Sequence, residues 1–194
     1  TIARKREYIL VFLGTLFTGI TLFVMLTTIV EFTTDVGLGR GIGVLAISVM
    51  GAMNIAGKVV GGVISDRVGR PISYGSSGLF MGVGTAILFG VSASTGVWAA
   101  VVVFGFGWGI NQALLAPTIS DLFGTLSINA LFGLVWSAYA IAGLLGPYLS
   151  GLTFDLIGSF RPAFLGAAVI AIIGSGCVFL ATRLESQDST SNST

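Results

Sequence analysis

Lys58 is the first residue whose chemistry demands an account, because it lies inside an apolar run from Ile42 to Ser65. A charge in such a run is costly unless it faces a polar cavity or a partner. The structural alternative is a lysine that stretches its amine to a membrane face. At 1.5 Å per residue, Lys58 stands roughly 10 Å from the end of its run, which leaves both readings open. Asn54 is one turn earlier on the same helical face, so the two can offer an ammonium and an amide to a carboxylate. Trp108, Asn111 and Gln112 share a face at i, i+3 and i+4. Phe132, Trp136, Tyr139 and Gly143 share another, and Thr18, Thr21, Met25 and Thr28 a third. Each set alone is explained by packing between helices. Converging with Lys58, they imply a cavity in which Lys58, Asn54, Asn111 and Gln112 bind an anion and Trp136 and Tyr139 shape its apolar part.

The composition says what kind of scaffold must hold these residues. Of 194 residues, 54% are hydrophobic and 9% charged, whereas a water-soluble domain needs about 25% charged residues to solvate its surface. Mean hydropathy is +0.99. The net charge of +1, without a long basic tract, excludes a nucleic-acid partner. The chain has no His, and its single cysteine, Cys177, sits in an apolar run. No metal site, cofactor site or nucleophile–base pair is visible, so the chain is expected not to be an enzyme. Gly75-Ser76-Ser77-Gly78 has the form of an intramembrane serine-protease motif but lacks a histidine base. Gly41 to Ala46 mimics a dinucleotide fingerprint without the surrounding βαβ unit.

About 20 apolar residues cross a bilayer as a helix. Six stretches qualify, at 8–30, 42–65, 72–93, 97–119, 129–153 and 162–182. They are too long and too uniformly apolar for the alternating strands of a membrane barrel. The run behind Arg4-Lys5-Arg6 is likewise too long for a signal peptide. The expected fold class is therefore an all-α membrane protein, with residues 1–184 a six-helix bundle and the polar 185–194 a disordered cytoplasmic tail. Placing both termini in the cytoplasm puts Arg4, Lys5, Arg6, Arg67, Arg70 and Arg183 inside and only Arg40 and Arg161 outside, as the positive-inside rule requires. The expected location is the plasma or inner membrane. The chain starts with Thr, and we read it as beginning inside a longer protein.

The second informative stretch is the polar link Gly62-Val63-Ile64-Ser65-Asp66-Arg67-Val68-Gly69-Arg70. Asp66 falls at a helix C-terminus, where the dipole disfavours a carboxylate, so it needs a basic partner or another helix's N-terminus. Gly69 permits a sharp turn. Anchoring to the cytoplasmic surface explains Arg67 and Arg70, but neither Asp66 nor the glycine spacing.

This link resembles the loop signature G-x-x-x-D-R-x-G-R of the major facilitator superfamily, with Pro71 in place of the second basic residue usually found at its end. Asn54 through Arg70 looks like the eighth helix and following loop of the monocarboxylate and oxalate/formate branch. Lys58 stands there where an arginine usually engages the carboxylate, keeping the charge without the bidentate fork. Ser120 to Gly124, and Gly143 to Pro147 with Gly151, Asp155, Gly158 and Phe160, resemble the tenth-to-eleventh helix region. The fifth span carries no Lys or Arg, unlike the oxalate-type pattern. The resemblance implies a C-terminal half of two inverted three-helix repeats, with an N-terminal six-helix half as partner. It also implies alternating access for a small organic anion, with Gly62, Asp66, Arg67, Gly69 and Arg70 forming a gating loop. The rival expectation is a six-helix channel or a non-transporting membrane receptor.

Overall fold

The computed structural model describes the backbone of residues 2–124 and 128–191 and the side chains of 6–124 and 129–183. Six helices follow one another: α1 (Ile2–Asp35), α2 (Arg40–Val68), α3 (Arg70–Ile87), α4 (Ser94–Phe123), α5 (Ile128–Ile157) and α6 (Arg161–Ser191). All six are long and apolar enough to cross a membrane, and among the described residues there is no strand. With no water in hydrocarbon, helices satisfy their backbone groups internally, which is why uninterrupted apolar runs take this form. Large apolar side chains such as Leu79, Leu144, Leu156 and Val169 are exposed on the bundle surface. Threonine and serine hydroxyls instead turn back onto carbonyls three or four residues earlier, as Thr18 does on Gly14 (3.0 Å) and Thr85 on Met81 (2.8 Å).

The helices other than the third run past the ends expected from the apolar runs, and at the C-terminal end the third and sixth depart furthest. The third stops at Ile87, short of residue 93, and passes through a 3₁₀ turn at Leu88–Gly90 into extended backbone at Val91. Arg161, at the start of α6, donates to the carbonyls of Phe89 (2.5 Å) and Val91 (2.7 Å), supplying partners that a continuing helix would have provided. The sixth helix runs on to Ser191, into the tail expected to be disordered, because no glycine or proline interrupts 177–191. Residues 125–127 of the link between the fourth and fifth spans, and 192–194, lie outside the described residues.

The packing has an internal two-fold pattern. α2 lies on α4 as α5 lies on α1; α3 lies on α4 as α6 lies on α1; and α3 and α6 pack on each other. Exchanging α1–α3 with α4–α6 reproduces the arrangement. Three spans per repeat is an odd number, so the second repeat crosses in the opposite direction. Glycines make these contacts close. On α2, Gly57 faces the Phe106 carbonyl and Gly109 on α4, while Gly61 faces Ile110. On α5, Gly146 meets the backbone of α1 at Val24 and Ile20. α1 and α4 are thereby the most enclosed helices, and α2 and α5 the least.

Candidate functional site

An open cavity of about 460 Å³ sits where α1, α4 and α5 converge. α1 contributes Leu22, Phe23 and Leu26, α4 contributes Trp108 and Gln112, and α5 contributes Trp136, Tyr139 and Ala140. Four residues predicted to share faces thus meet on one wall system. The aromatic side is a stack: Phe132 lies parallel to Trp136 (5.4 Å, 19°), and Trp136 meets Tyr139 at 4.8 Å and 51°. Gly19 on α1 lets this face approach, since a methyl there would stand 2.9 Å from Ala142 Cβ and 3.2 Å from the Tyr139 ring.

The first span presents a different face from the one expected. Thr18, Thr21, Met25 and Thr28 are buried, and Thr21 donates to the Ala167 carbonyl of α6 at 2.9 Å. Thr18 turns its hydroxyl back onto its own helix, while Leu22, Phe23 and Leu26 reach the cavity. In a uniformly apolar helix no contrast marks such residues, so the sequence reading missed them.

Asn111 also departs from expectation. It is fully buried and does not line the cavity. Its Oδ1 accepts from the Tyr139 hydroxyl (3.4 Å) and its Nδ2 donates to Ser77 Oγ (3.2 Å). Asn54 is buried at the α2–α4 contact, with its carbonyl against Gly109, and its Nδ2 has no hydrogen-bond partner. Trp108, next to Gly109 and in the cavity wall, likewise has a buried indole N–H without a partner. Unpaired buried donors are costly, by about 1–3 kcal/mol each, and Asn54 and Trp108 share this state with Thr15, Ser65, Tyr74, Thr118 and Ser175.

Lys58 is exposed on the flank of α2, one turn beyond Asn54, and is not among the lining residues of the cavity. Among the described residues it has no ion pair or hydrogen bond. The helix around it continues to Val68, so Lys58 stands further from the helix end than the apolar run alone implied.

The link expected to form a gating loop is a single residue between two helices. Gly69 ends α2 and starts α3 at φ 93°, ψ 147°, a conformation that residues with a Cβ rarely adopt. Its N–H returns to Ser65 O at 3.0 Å, and its carbonyl accepts from the Ser73 hydroxyl at 3.0 Å. Arg70 pairs with the Asp121 carboxylate and donates to Pro117 O at 3.4 Å, tying α3 to the end of α4. Asp121 as this partner was not foreseen, because fifty residues of apolar chain separate the two, as roughly one pair of spans must. Asp66 and Arg67 are exposed, and among the described residues neither has a partner, so the basic group expected for Asp66 is not found here. Gly62 has open space beside it, and its neighbour Gly61 makes the close helix contact.

Among the described residues no cluster of His, Cys, Asp or Glu has the makings of a metal site. Glu7, buried near the start of α1, is a carboxylate that falls just before the first predicted span.

The family described as Major Facilitator Superfamily matches residues 11–194. Among curated proteins, the chain is 29% identical over 160 residues to monocarboxylate transporter 13 of Bos taurus, covering 79% of this chain and 37% of the relative. It is 30% identical over 182 residues to monocarboxylate transporter 11 of Homo sapiens (88% and 38%). To the oxalate:formate antiporter of Oxalobacter formigenes it is 28% identical over 149 residues (74% and 35%). The chain therefore spans little more than a third of the length of these relatives. Among solved structures, a bacterial homologue of the human drug peptide transporters superposes with a TM-score of 0.82 at 18% identity, over 91% of this chain and 40% of that one. At that identity the likeness speaks for the fold alone.

Proposed function

Because the chain belongs to the Major Facilitator Superfamily, we propose that it forms one six-helix half of a secondary transporter for a small organic anion, a monocarboxylate. The observation that carries this reading is Lys58: a cation in a membrane-crossing helix, without a counter-ion among the described residues, one turn from the unpaired amide of Asn54. A carboxylate arriving there gains the ammonium and neutralises a charge that lipid disfavours. In the cavity between α1, α4 and α5, whose lining does not include Lys58, Gln112 offers an amide, and Trp136 and the Tyr139 ring supply apolar walls for the rest of the substrate. The names of the relatives, monocarboxylate transporters and an oxalate:formate antiporter, support the same substrate class.

Alternating access follows from the two repeats rocking against a second bundle. The least enclosed helices, α2 and α5, offer the faces such a bundle would cover. In this scheme Asp66 and Arg67 reach across to the partner half and close the cytoplasmic gate. Arg70 acts within its own half, fixing α3 to α4 through Asp121. The six-to-two distribution of basic residues supports a topology with both termini cytoplasmic, and the proposed location is a plasma or inner membrane.

Uptake and exchange of radiolabelled small carboxylates in proteoliposomes test the proposal, comparing the parent with Lys58→Gln and Lys58→Arg. Exchange abolished by Gln and largely kept by Arg supports Lys58 as the anion site. Exchange indifferent to both leaves transport standing and returns Lys58 to the headgroups. Absence of carboxylate flux in the parent overturns the substrate assignment.

A further inference from the structure

Tyr139 lines the cavity with its ring, yet its hydroxyl is engaged inside the bundle. The residue is only 8% exposed, and the phenol donates to Asn111 Oδ1. Asn111 in turn donates to Ser77 Oγ, and the Ser77 hydroxyl donates to the Tyr74 carbonyl at 2.6 Å. The line runs from α5 through α4 into α3, a helix that contributes nothing to the cavity wall. Every member is buried, so each bond holds in a medium where the alternative is an unsatisfied polar group.

We propose that Asn111 is a positioning residue for the pocket: it holds the Tyr139 hydroxyl away from the cavity, so that the ring beside Trp136 presents carbon rather than a donor to the substrate. This rests on the carboxylate reading above for its effect on transport, but not for its geometry. The carboxamide suits the task because one end accepts from the phenol while the other is pinned to Ser77. Without the acceptor, the phenol loses its Asn111 partner; the Thr18 hydroxyl of α1, already donating to the Gly14 carbonyl, is the other near polar group, and the ring borders the open cavity. A hydroxyl turned into the cavity would meet the carboxylate and would also break the Tyr139–Trp136 contact. Asn111 therefore governs which anions are preferred, more than how fast the carrier turns over.

Hydroxyl-radical footprinting of Tyr139, read by mass spectrometry on the reconstituted protein, tests the geometry without any substrate. Labelling is expected to be low in the parent, severalfold higher in Asn111→Leu, and parent-like in Asn111→Asp. The neutral acid keeps both an acceptor and a donor. Ser77→Ala, which releases the far end of Asn111, gives an intermediate increase and serves if Asn111→Leu does not fold. Equal labelling of Tyr139 in the parent and in a folded Asn111→Leu or Ser77→Ala protein overturns the proposal. In transport, Asn111→Leu is expected to shift the KM ratio between a short and a longer monocarboxylate by about fivefold, the scale of one neutral hydrogen bond. Its maximal rate stays within about twofold on the same scale. A fall in maximal rate with an unchanged KM ratio is the signature of a merely structural role and also overturns the proposal. Labelling that follows the prediction in a parent that carries no carboxylate supports the positioning and removes the substrate reading alone.

Discussion

Gly109→Ala probes a close backbone-to-backbone contact between α2 and α4. A methyl at Gly109 would stand 2.8 Å from both Gly57 Cα and Lys58 N and nearer still to the Asn54 carbonyl oxygen. All three are backbone atoms of α2, so no side chain can swing aside. Relief requires α2 and α4 to separate by at least about 0.6 Å, a gap that already forfeits a quarter or more of the attraction between facing atoms. Overpacking of this kind costs about 3 kcal/mol. Replacing a helical glycine by alanine returns about 1 kcal/mol. The net loss is therefore about 2 kcal/mol, roughly a thirtyfold shift in the unfolding equilibrium. Gly51 on α2 and Gly176 on α6 have open space beside them, and alanine there should be neutral or mildly stabilising. The assay is SDS titration of the protein in mixed micelles, followed by tryptophan fluorescence. Gly109→Ala as stable as Gly51→Ala would refute the view that backbone-to-backbone contact sets the α2–α4 spacing.

Other expectations test separate parts of the structure. Arg161→Ala should lower stability by about 2 kcal/mol in the same titration, since it strips two charge-assisted hydrogen bonds from the carbonyls of Phe89 and Val91. Thr21→Val, which removes one hydroxyl bond between α1 and α6, should cost only about 0.6 kcal/mol, a loss that unfolding curves can barely resolve. Arg70→Asp and Asp121→Arg should each slow exchange, and the charge-swapped double variant should recover part of the rate; additive losses would show that the pair does not act as a unit. Asp66→Asn should impair exchange without lowering the stability of this bundle, because Asp66 has no partner among the described residues. A large stability loss would place its partner within the chain.

Some of this protein was legible from composition and periodicity. Six apolar runs of bilayer length could only become helices, since hydrocarbon offers the backbone no other partner, and all six are found. Trp108, Gln112, Trp136 and Tyr139 could be placed on shared faces, because polar and aromatic residues stand out against aliphatic surroundings. The same contrast misled at Asn111 and at Thr18, Thr21 and Thr28. Polarity marks a residue that must avoid lipid, but a buried hydrogen-bond network and a substrate cavity satisfy that need equally. The run length likewise misjudged the third span, because its end is decided by Arg161, some seventy residues further on, as a partner roughly two spans distant must be.

The sequence by itself thus determined the solvent, the number of crossings, the hinge at Gly69 and the cost of a charge at Lys58. Each is a local matter of transfer free energy or backbone sterics. Only the tertiary structure decided which glycines make contact, that Arg70 belongs to Asp121, and that Tyr139 points its hydroxyl at Asn111 rather than into the cavity. Those outcomes depend on the rotation of each helix about its axis. In a chain apolar on nearly every face, that rotation is set by close packing with neighbours, and hydropathy does not record it.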